Sequence, residues 1–316
     1  MRTAAIASPQ PRLALVLAAA QRLYPGGSRK ALKGRLRLLA SWLRFRGRLG
    51  TFFREPAHQA LAKELSERPE LLGFMLWPYI HAGWPTMTRF EALAQHQQAI
   101  ATDMAALAVP PDGSLLIADL ADVSPGMQLV VDRAPWCLRE GSLVFNQFLH
   151  DERMMSLAFS FGWRDGERVA YIGSVQGSNV DSALAKYRDM AKGLQGMRSR
   201  DFLIKMFQLL TNHMGVKQLF GVSDEQRHHR HPYFGTAKAE RLHLDYNEIW
   251  EEHSAERLPD GFYRLPSLPV VKAMEEIAAK NRALYRRRYA LMDRLSSDLA
   301  SRFAVRSPAE AHAIPE

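Results

Sequence analysis

Cysteine is almost absent from this sequence, which contains Cys137 and no other cysteine among 316 residues. One thiol cannot form an intramolecular disulfide or a zinc site built from several thiolates. So few cysteines are typical of a reducing compartment, and we therefore expect a cytoplasmic protein.

Long hydrophobic runs are also missing. The most apolar stretch, residues 13–20, is shorter than the roughly 20 residues that cross a bilayer, and no small-x-small cleavage pattern follows it. The stretch predicts a buried or surface-lying amphipathic helix rather than a secretory leader. We expect no transmembrane segment, and at most a peripheral attachment to the inner membrane.

Several well-known catalytic signatures do not occur. The sequence has no Walker loop, no strand-linked G-x-G-x-x-G, no H-E-x-x-H and no internal repeat. Function must therefore be inferred from weaker local patterns.

Acidic residues are missing from the first 54 positions, although the whole chain has 33 of them against 42 Lys and Arg, for a net charge of +9. Leu32, Leu36, Leu39 and Leu43 recur there at helical spacing, which predicts a basic amphipathic helix over residues 28–49. Such a helix binds nucleic acid or anionic lipid, or it docks on the core with a solvated cationic face. The basic residues of this segment are Arg2, Arg12, Arg22, Arg29, Lys30, Lys33, Arg35, Arg37, Arg44, Arg46, Arg48 and Arg54.

Changes in periodicity divide the chain into three parts. Helical spacing continues to about residue 107, and V-P-P-D-G at residues 109–113 marks a turn. Short alternating runs separated by Pro-Gly, Ala-Pro and Asp-Gly follow, which is typical of antiparallel strands. We predict an α+β fold: a basic helical region (1–108), an α/β domain with a mixed, mostly antiparallel sheet flanked by helices (109–269), and a long basic C-terminal helix with a tail (270–316).

Residues 168–229 carry the first candidate site. The pattern predicts a strand, a polar helix capped by Ser178 or Asn179, a glycine- and arginine-rich loop, a second helix and a second strand. The loop would combine free backbone amides, the positive end of a helix dipole and guanidinium groups, so it predicts an anion site for phosphate or pyrophosphate. Alternatively, Ser199 or Asp201 only caps the helix and the arginines are solvated. The candidate loop residues are Gly193, Gln195, Gly196, Arg198, Ser199 and Arg200.

The second strand runs into the polar segment S-D-E-Q-R-H-H-R-H at residues 223–231. Asp224, Glu225 or His228 could take a proton from an acceptor amine or hydroxyl, since histidine titrates near neutral pH. A metal site is not predicted, because the neighbours His228 and His229 are expected to project in different directions. A polar loop with a helix cap would have a similar composition.

Residues 193–229 resemble the core of the GCN5-related N-acetyltransferase superfamily, in which a Q/R-x-x-G-x-G/A loop opens a helix that leads to a strand. The resemblance implies that the loop amides hold the pyrophosphate of coenzyme A and that the preceding strand pairs with the pantetheine arm. In this sequence a helix at residues 181–192 stands between strand and loop, and the second motif glycine is replaced near Arg198 or Ser199.

The end of the preceding strand offers a second position for the same chemistry. Gln176 and Gly177 are alternative candidates for the amides that hold an anionic donor. The strand backbone near Gly173 and Ser174 is a candidate for binding a developing oxyanion, the interaction that usually contributes most to acyl transfer.

Motifs spread over residues 55–270 are similar to the VirK/YbjX family of bacterial proteins. That resemblance implies links to virulence, envelope remodelling, stress response and resistance to antimicrobial peptides. The matching motifs are R-P-E-L-L-G-F-M-L-W-P-Y-I-H-A-G-W-P-T-M-T-R-F (68–90), Y-I-G-S-V-Q-G (171–177), V-S-D-E-Q-R-H-H-R-H (222–231), D-Y-N-E-I-W-E-E-H-S-A-E (245–256) and D-G-F-Y-R-L-P (260–266).

Two functions follow from these patterns. The first is an acyltransferase-like protein that uses an anionic donor, such as a coenzyme A thioester or an aminoacyl-tRNA. The second is a non-catalytic virulence or stress factor whose basic helices bind anionic lipid or nucleic acid. Binding to a polyanion through such helices would weaken steeply with salt.

Overall fold

A computed structural model describes residues 13–178, 182–235 and 244–304 of the chain. Within these ranges helices precede, interrupt and follow one mixed sheet. The predicted α+β fold class is therefore confirmed. Asn179, one of the two predicted helix caps, and the predicted tail at residues 307–316 lie outside the described residues.

The described N-terminal part contains four α-helices, of which the second is the predicted basic helix. Its N-cap is Ser28, whose side chain accepts a hydrogen bond from the Ala31 amide at 3.1 Å and so satisfies one free donor of the first turn. Among the helices of the described ranges, none combines the length and apolarity needed to cross a membrane. The four are α1 (Leu13–Leu23), α2 (Arg29–Phe52), α3 (Gln59–Glu67) and α4 (Thr86–Ala101).

Eight strands of the described chain form one sheet in the order β1-β2-β3-β4-β5-β6-β8-β7. Neighbouring strands are antiparallel except for β5 and β6, which are parallel. The alternating burial along β2 matches its alternating sequence, as a strand with one face on the core requires. The strands are β1 (Ser114–Asp119), β2 (Met127–Asp132), β3 (Leu143–Leu149), β4 (Glu152–Arg164), β5 (Glu167–Gly177), β6 (Gln218–Val222), β7 (Glu256–Arg257) and β8 (Phe262–Leu265).

The hairpin predicted from Asp165 and Gly166 joins β4 to β5. Both residues have positive φ, at 53° and 78°, which is the backbone of the two-residue turns that suit the twist of a hairpin. This prediction is confirmed.

The parallel strands β5 and β6 are connected through α5 (Ala183–Gly193) and α6 (Ser199–His213). Their pairing runs from Val169–Gln218 to Ile172–Gly221 and stops there, although β5 continues to Gly177. The carboxyl end of β5 therefore carries backbone groups that β6 does not satisfy.

Helix α7 (Tyr246–Glu252) fills the place where the two strands separate. The Tyr246 hydroxyl bonds to both the amide and the carbonyl of Val175, and Trp250 Nε1 donates to the Val222 carbonyl at 2.8 Å. These side chains replace ladder hydrogen bonds that buried strand ends need.

The C-terminal helix α8 (Arg282–Phe303) begins later than residue 270, where the sequence predicts it. The preceding residues form short 3₁₀ turns, because Ile277 is buried and Arg282 Nε donates to the carbonyls of Met274 and Ile277. One hydrophobic cluster extends from α1 through the sheet to α8. The domain boundaries near residues 108 and 269 stay predictions.

Candidate functional site

A buried carboxylate, Glu140, lies against the part of β5 that has left β6. Only 3 % of the surface of Glu140 is exposed to solvent. Ser174 Oγ donates to Glu140 Oε2 at 2.8 Å, and Gln176 Nε2 donates to the same oxygen. Ser174 and Gln176 share one face of β5 because alternate residues of a strand do. Ser174 and Gln176, which the sequence predicts to bind the anionic acyl donor, therefore both donate hydrogen bonds to the Glu140 carboxylate.

Two histidines face the other oxygen of that carboxylate. His228 Nδ1 lies 3.6 Å and His229 Nε2 lies 3.5 Å from Glu140 Oε1, and the ring centroids of the histidines are 3.7 Å apart. We call these three residues the Glu140 cluster. The expectation that the histidines project in different directions is wrong. His228 faces Glu140 Oε1 with its Nδ1 and His229 faces the same oxygen with its Nε2, so both rings converge on one oxygen.

Two glycines bring Glu140 to the strand. A Cβ on Gly173 would stand 1.9 Å from the Glu140 carbonyl oxygen, and one on Gly141 would stand 2.3 Å from the Phe159 amide nitrogen. The register between β4 and β5 also skips Gly173. Phe159 of β4 pairs with Ile172, and Ala158 pairs with Ser174. Gly173 therefore forms a bulge over which the Glu140 backbone passes. Its predicted contact with an oxyanion stays a prediction.

Cys137 belongs to the turn just before Glu140. It is 1 % exposed, and burial, reinforced by the Glu140 carboxylate, raises the pKa of its thiol well above the usual range. A thiol that stays protonated is a poor nucleophile and a poor metal ligand.

The other two proton acceptors predicted from the sequence are held by arginines. Asp224 accepts from Arg227 at 3.2 Å and pairs with Arg230. Glu225 accepts from Arg257 at 3.0 Å. Of the three residues, the structure brings His228 to the Glu140 cluster and holds Asp224 and Glu225 in ion pairs outside it.

The predicted anion loop, residues 193–200, opens α6 as expected. Its arginines form ion pairs, although 60 % of the Arg198 side chain is exposed to solvent: Arg198 and Arg200 both pair with Glu252 at the end of α7, and both also pair with Asp201. Arg198 is the N-cap residue and makes no side-chain cap bond, so capping by Ser199 or Asp201 is wrong. The hydroxyl of Ser199 is buried without a hydrogen-bond partner among the described residues.

The glycines of the loop pack against other elements. A Cβ on Gly193 would stand 2.0 Å from the Val123 carbonyl, and Gly196 adopts φ 76° next to Arg288 of α8. The carbonyl of Gln195 accepts from Arg288, and its side chain accepts from Arg287. The loop is thus covered by α8.

A cavity of about 160 Å³ adjoins this loop. Its cationic lining residues are Lys205, Lys272 and Arg288, while Glu252 is its carboxylate. Burial lowers the pKa of the Lys205 ammonium, and the Asp201 carboxylate offsets this effect only in part. The lining of the cavity therefore carries more cationic than anionic side chains.

A separate surface is formed by α1 and α2. Leu32, Leu36 and Leu43 on α2 are 55 %, 57 % and 54 % exposed, and Leu13 and Leu17 on α1 are also open to solvent. Within the described chain, the basic side chains of α2 take part in no salt bridge. We call these exposed leucines and the basic side chains of α2 the leucine–arginine surface. The predicted helix is confirmed, but its leucines do not all face the core.

Comparison with known proteins places the chain in a family. Residues 27–301 match the family described as "Protein of unknown function (DUF535)". The chain belongs to the DUF535 family. The Glu140 cluster, α7 and α8 up to residue 301 all lie inside the matched range.

Relatives agree with the VirK/YbjX resemblance. The chain is 28 % identical to "Uncharacterized protein YbjX" of Escherichia coli strain K12 over 150 residues, which are 48 % of this chain and 45 % of that protein. An uncharacterized protein of Haemophilus influenzae is 27 % identical over 150 residues, 48 % of each chain. The matches span about half the length of these relatives. No solved structure matches the chain.

Proposed function

We propose that this DUF535 protein is an acyltransferase-like protein whose reacting group lies in the Glu140 cluster. The observation that carries the proposal is a buried carboxylate that turns one oxygen to two histidines at the end of a strand. Convergent polar groups at a strand end are an arrangement in which functional sites are commonly built. A mixed, mostly antiparallel sheet flanked by helices, as found here, is what the GCN5-related resemblance implies.

In the proposed reaction, one imidazole of the cluster takes a proton from an acceptor amine or hydroxyl. The acceptor attacks the acyl carbonyl of the donor, and the imidazolium then returns the proton to the leaving thiolate or alkoxide, so that charge and protons balance. Glu140 orients the imidazole and stabilises its charged form. Ser174 and Gln176 hold Glu140 in place through its second oxygen.

The proposed donor is anionic and has a long arm. Its phosphate would bind in the cavity of Lys205, Lys272 and Arg288, and its acyl group would reach the Glu140 cluster. Helix α7 links the two places, and a helix of its length measures about 10 Å. A coenzyme A thioester or the acceptor end of an aminoacyl-tRNA is long enough to cover such a distance.

The strand edge that would pair with a pantetheine arm is occupied by Tyr246, which bonds to both backbone groups of Val175. A thioester donor would therefore follow another course along α7, or it would displace Tyr246. An aminoacyl-tRNA requires no pairing with β5. Comparing the two donors on the same protein distinguishes them.

The test is isothermal titration with coenzyme A, acyl thioesters and charged tRNA, followed by an assay of transfer to amine acceptors. The double variant Lys205→Ala, Arg288→Ala should weaken donor binding at least tenfold. Glu140→Gln, which preserves the size of the side chain, should leave binding intact and lower the transfer rate by about 10²–10⁴. The exposed Lys280 serves as the control for loss of a charge. Absence of binding to all three donors would overturn the proposal.

The leucine–arginine surface supports a second function, binding to an anionic lipid surface. Exposed leucines flanked by unpaired basic residues insert between acyl chains while the cations contact headgroups. Nucleic acid offers no apolar surface of this kind along its backbone, so lipid fits better. With this function, the protein would bind at the cytoplasmic face of the inner membrane, and the envelope and stress roles implied by the family resemblance would operate there.

A further inference from the structure

We propose that Glu140, His228 and His229 bind one divalent transition-metal cation of the zinc class. The ligand atoms are Glu140 Oε1, His228 Nδ1 and His229 Nε2, which all lie within 4.8 Å of one another. Two imidazoles and one carboxylate are a ligand set that zinc uses in enzymes.

The distances within the Glu140 cluster fit a shared ion better than they fit hydrogen bonds. Protein hydrogen bonds from nitrogen to oxygen are about 2.7–3.2 Å long, whereas the two contacts to Glu140 Oε1 are 3.5 and 3.6 Å. Ligand atoms about 2.0–2.2 Å from a tetrahedral ion stand about 3.4 Å apart along each edge of the tetrahedron. The distances from Glu140 Oε1 to His228 Nδ1 and to His229 Nε2 are thus close to the length of a tetrahedral edge.

Charge gives a second argument. If both histidines were protonated to pair with Glu140, two positive rings would lie with centroids 3.7 Å apart, and one carboxylate would have to neutralise both. A cation held by two neutral imidazoles balances the buried carboxylate without that repulsion.

The surroundings of Glu140 resemble the outer shell of a metal site. Its Oε2 accepts hydrogen bonds from Ser174 and Gln176, which fix the carboxylate and leave Oε1 turned towards the histidines. Residues that hold a ligand in this way commonly change metal affinity by about 10–100-fold. His229 is the partly exposed ligand, with 17 % of its side chain open to solvent, and it provides access for the ion.

Three protein ligands leave a fourth position for water or an acceptor group. This part of the inference rests on the proposed function: a bound ion would lower the pKa of an acceptor hydroxyl or amine, which would release its proton to solvent before it attacks the acyl carbonyl. The leaving thiolate or alkoxide would then take a proton from solvent. Binding of the ion does not depend on any transfer reaction.

The experiment uses the full chain, stripped with a chelator and then dialysed against Zn²⁺ or Co²⁺. We expect one equivalent of retained metal by elemental analysis, a higher melting temperature, and the intense visible absorption of tetrahedral Co²⁺. Glu140→Gln and His229→Ala should each weaken binding at least tenfold, and Ser174→Ala should weaken it by about tenfold. The control His213→Ala removes a histidine whose Nε2 bonds to Ser296 at 3.0 Å, outside the cluster, and should bind as the parent does.

Failure to retain metal in the parent chain would overturn the inference, and this result does not depend on whether a variant folds. Equal retention by the parent, Glu140→Gln and His229→Ala would also overturn it, because the metal would then be adventitious. Circular dichroism shows whether each variant is folded. Metal binding is scored without any acyl donor, so it can fail while transfer occurs, or succeed while transfer fails.

Discussion

The Tyr246 hydroxyl accepts a hydrogen bond from the Val175 amide at 3.0 Å and donates one to the Val175 carbonyl at 3.2 Å. One side chain of α7 thus substitutes for a neighbouring strand at the end of β5. Glu252, at the other end of the same helix, neutralises Arg198 and Arg200. Helix α7 therefore lies between the two places where the sequence predicts an anionic donor.

Removing this hydroxyl should destabilise the protein. Tyr246→Phe leaves a buried amide and a buried carbonyl of Val175 without partners, at a cost of about 1–3 kcal/mol. Urea denaturation followed by circular dichroism measures the difference. Tyr285 of α8, which is partly open to solvent, provides the matched control Tyr285→Phe, which should change stability by less than about 0.5 kcal/mol. Equal effects of the two substitutions would contradict the role of Tyr246.

A methyl group on Gly173 should displace Glu140. Gly173→Ala would place a carbon 1.9 Å from the Glu140 carbonyl, so we expect a loss of at least about 2 kcal/mol and weaker metal binding. The control is Gly47→Ala in α2, where a Cβ meets nothing within 4 Å and where alanine should stabilise the helix by up to about 1 kcal/mol. The free energy of unfolding, measured by urea denaturation, should therefore fall for Gly173→Ala and rise for Gly47→Ala.

Histidine 96 should make stability depend on pH. Burial lowers the pKa of His96 to about 3, and its Nδ1 accepts from the Phe161 amide at 3.2 Å. The unfolded chain takes up this proton near the ordinary pKa of about 6.5, so stability is fully present above that pH. It falls by up to about 1.4 kcal/mol per pH unit between pH 6.5 and 3. His96→Gln should flatten this part of the profile, while His213→Gln should leave it unchanged.

The leucines of α2 should control membrane binding. Leu36→Glu with Leu43→Glu removes two exposed apolar side chains, each worth about 1.5–3 kcal/mol when buried, and adds two negative charges. Sedimentation with vesicles of phosphatidylglycerol and phosphatidylcholine should show binding by the parent that weakens with salt. Leu268→Glu, at a leucine that is 48 % exposed, is the control and should bind normally. Binding unaffected by the double change would rule out this surface.

Local patterns were sufficient for much of the fold. The turn at Asp165 and Gly166 and the basic helix α2 depend on neighbouring residues alone, and both predictions are confirmed. The late start of α8 was missed because Ile277 is buried by distant elements, and a helical pattern does not report such packing.

Local sequence patterns predict only part of the candidate site. Local patterns indicate Ser174, Gln176 and His228 but not Glu140, which contacts all three in the folded chain. Its position follows from a bulge at Gly173 and from a loop more than 30 residues away in sequence, which no local period encodes. A glycine that interrupts an apolar strand was the one available signal of a close backbone approach.

The hydroxyl of Tyr246 also sets a limit on apparent affinity. A ligand that pairs with the free end of β5 binds only molecules in which this hydroxyl has left Val175. Its measured dissociation constant is then the intrinsic constant divided by the fraction of such molecules. If one molecule in about a hundred is open, a micromolar measurement corresponds to intrinsic binding about a hundredfold tighter. Tyr246→Phe, which weakens the competing contact, should therefore strengthen the binding of any ligand that uses this strand edge.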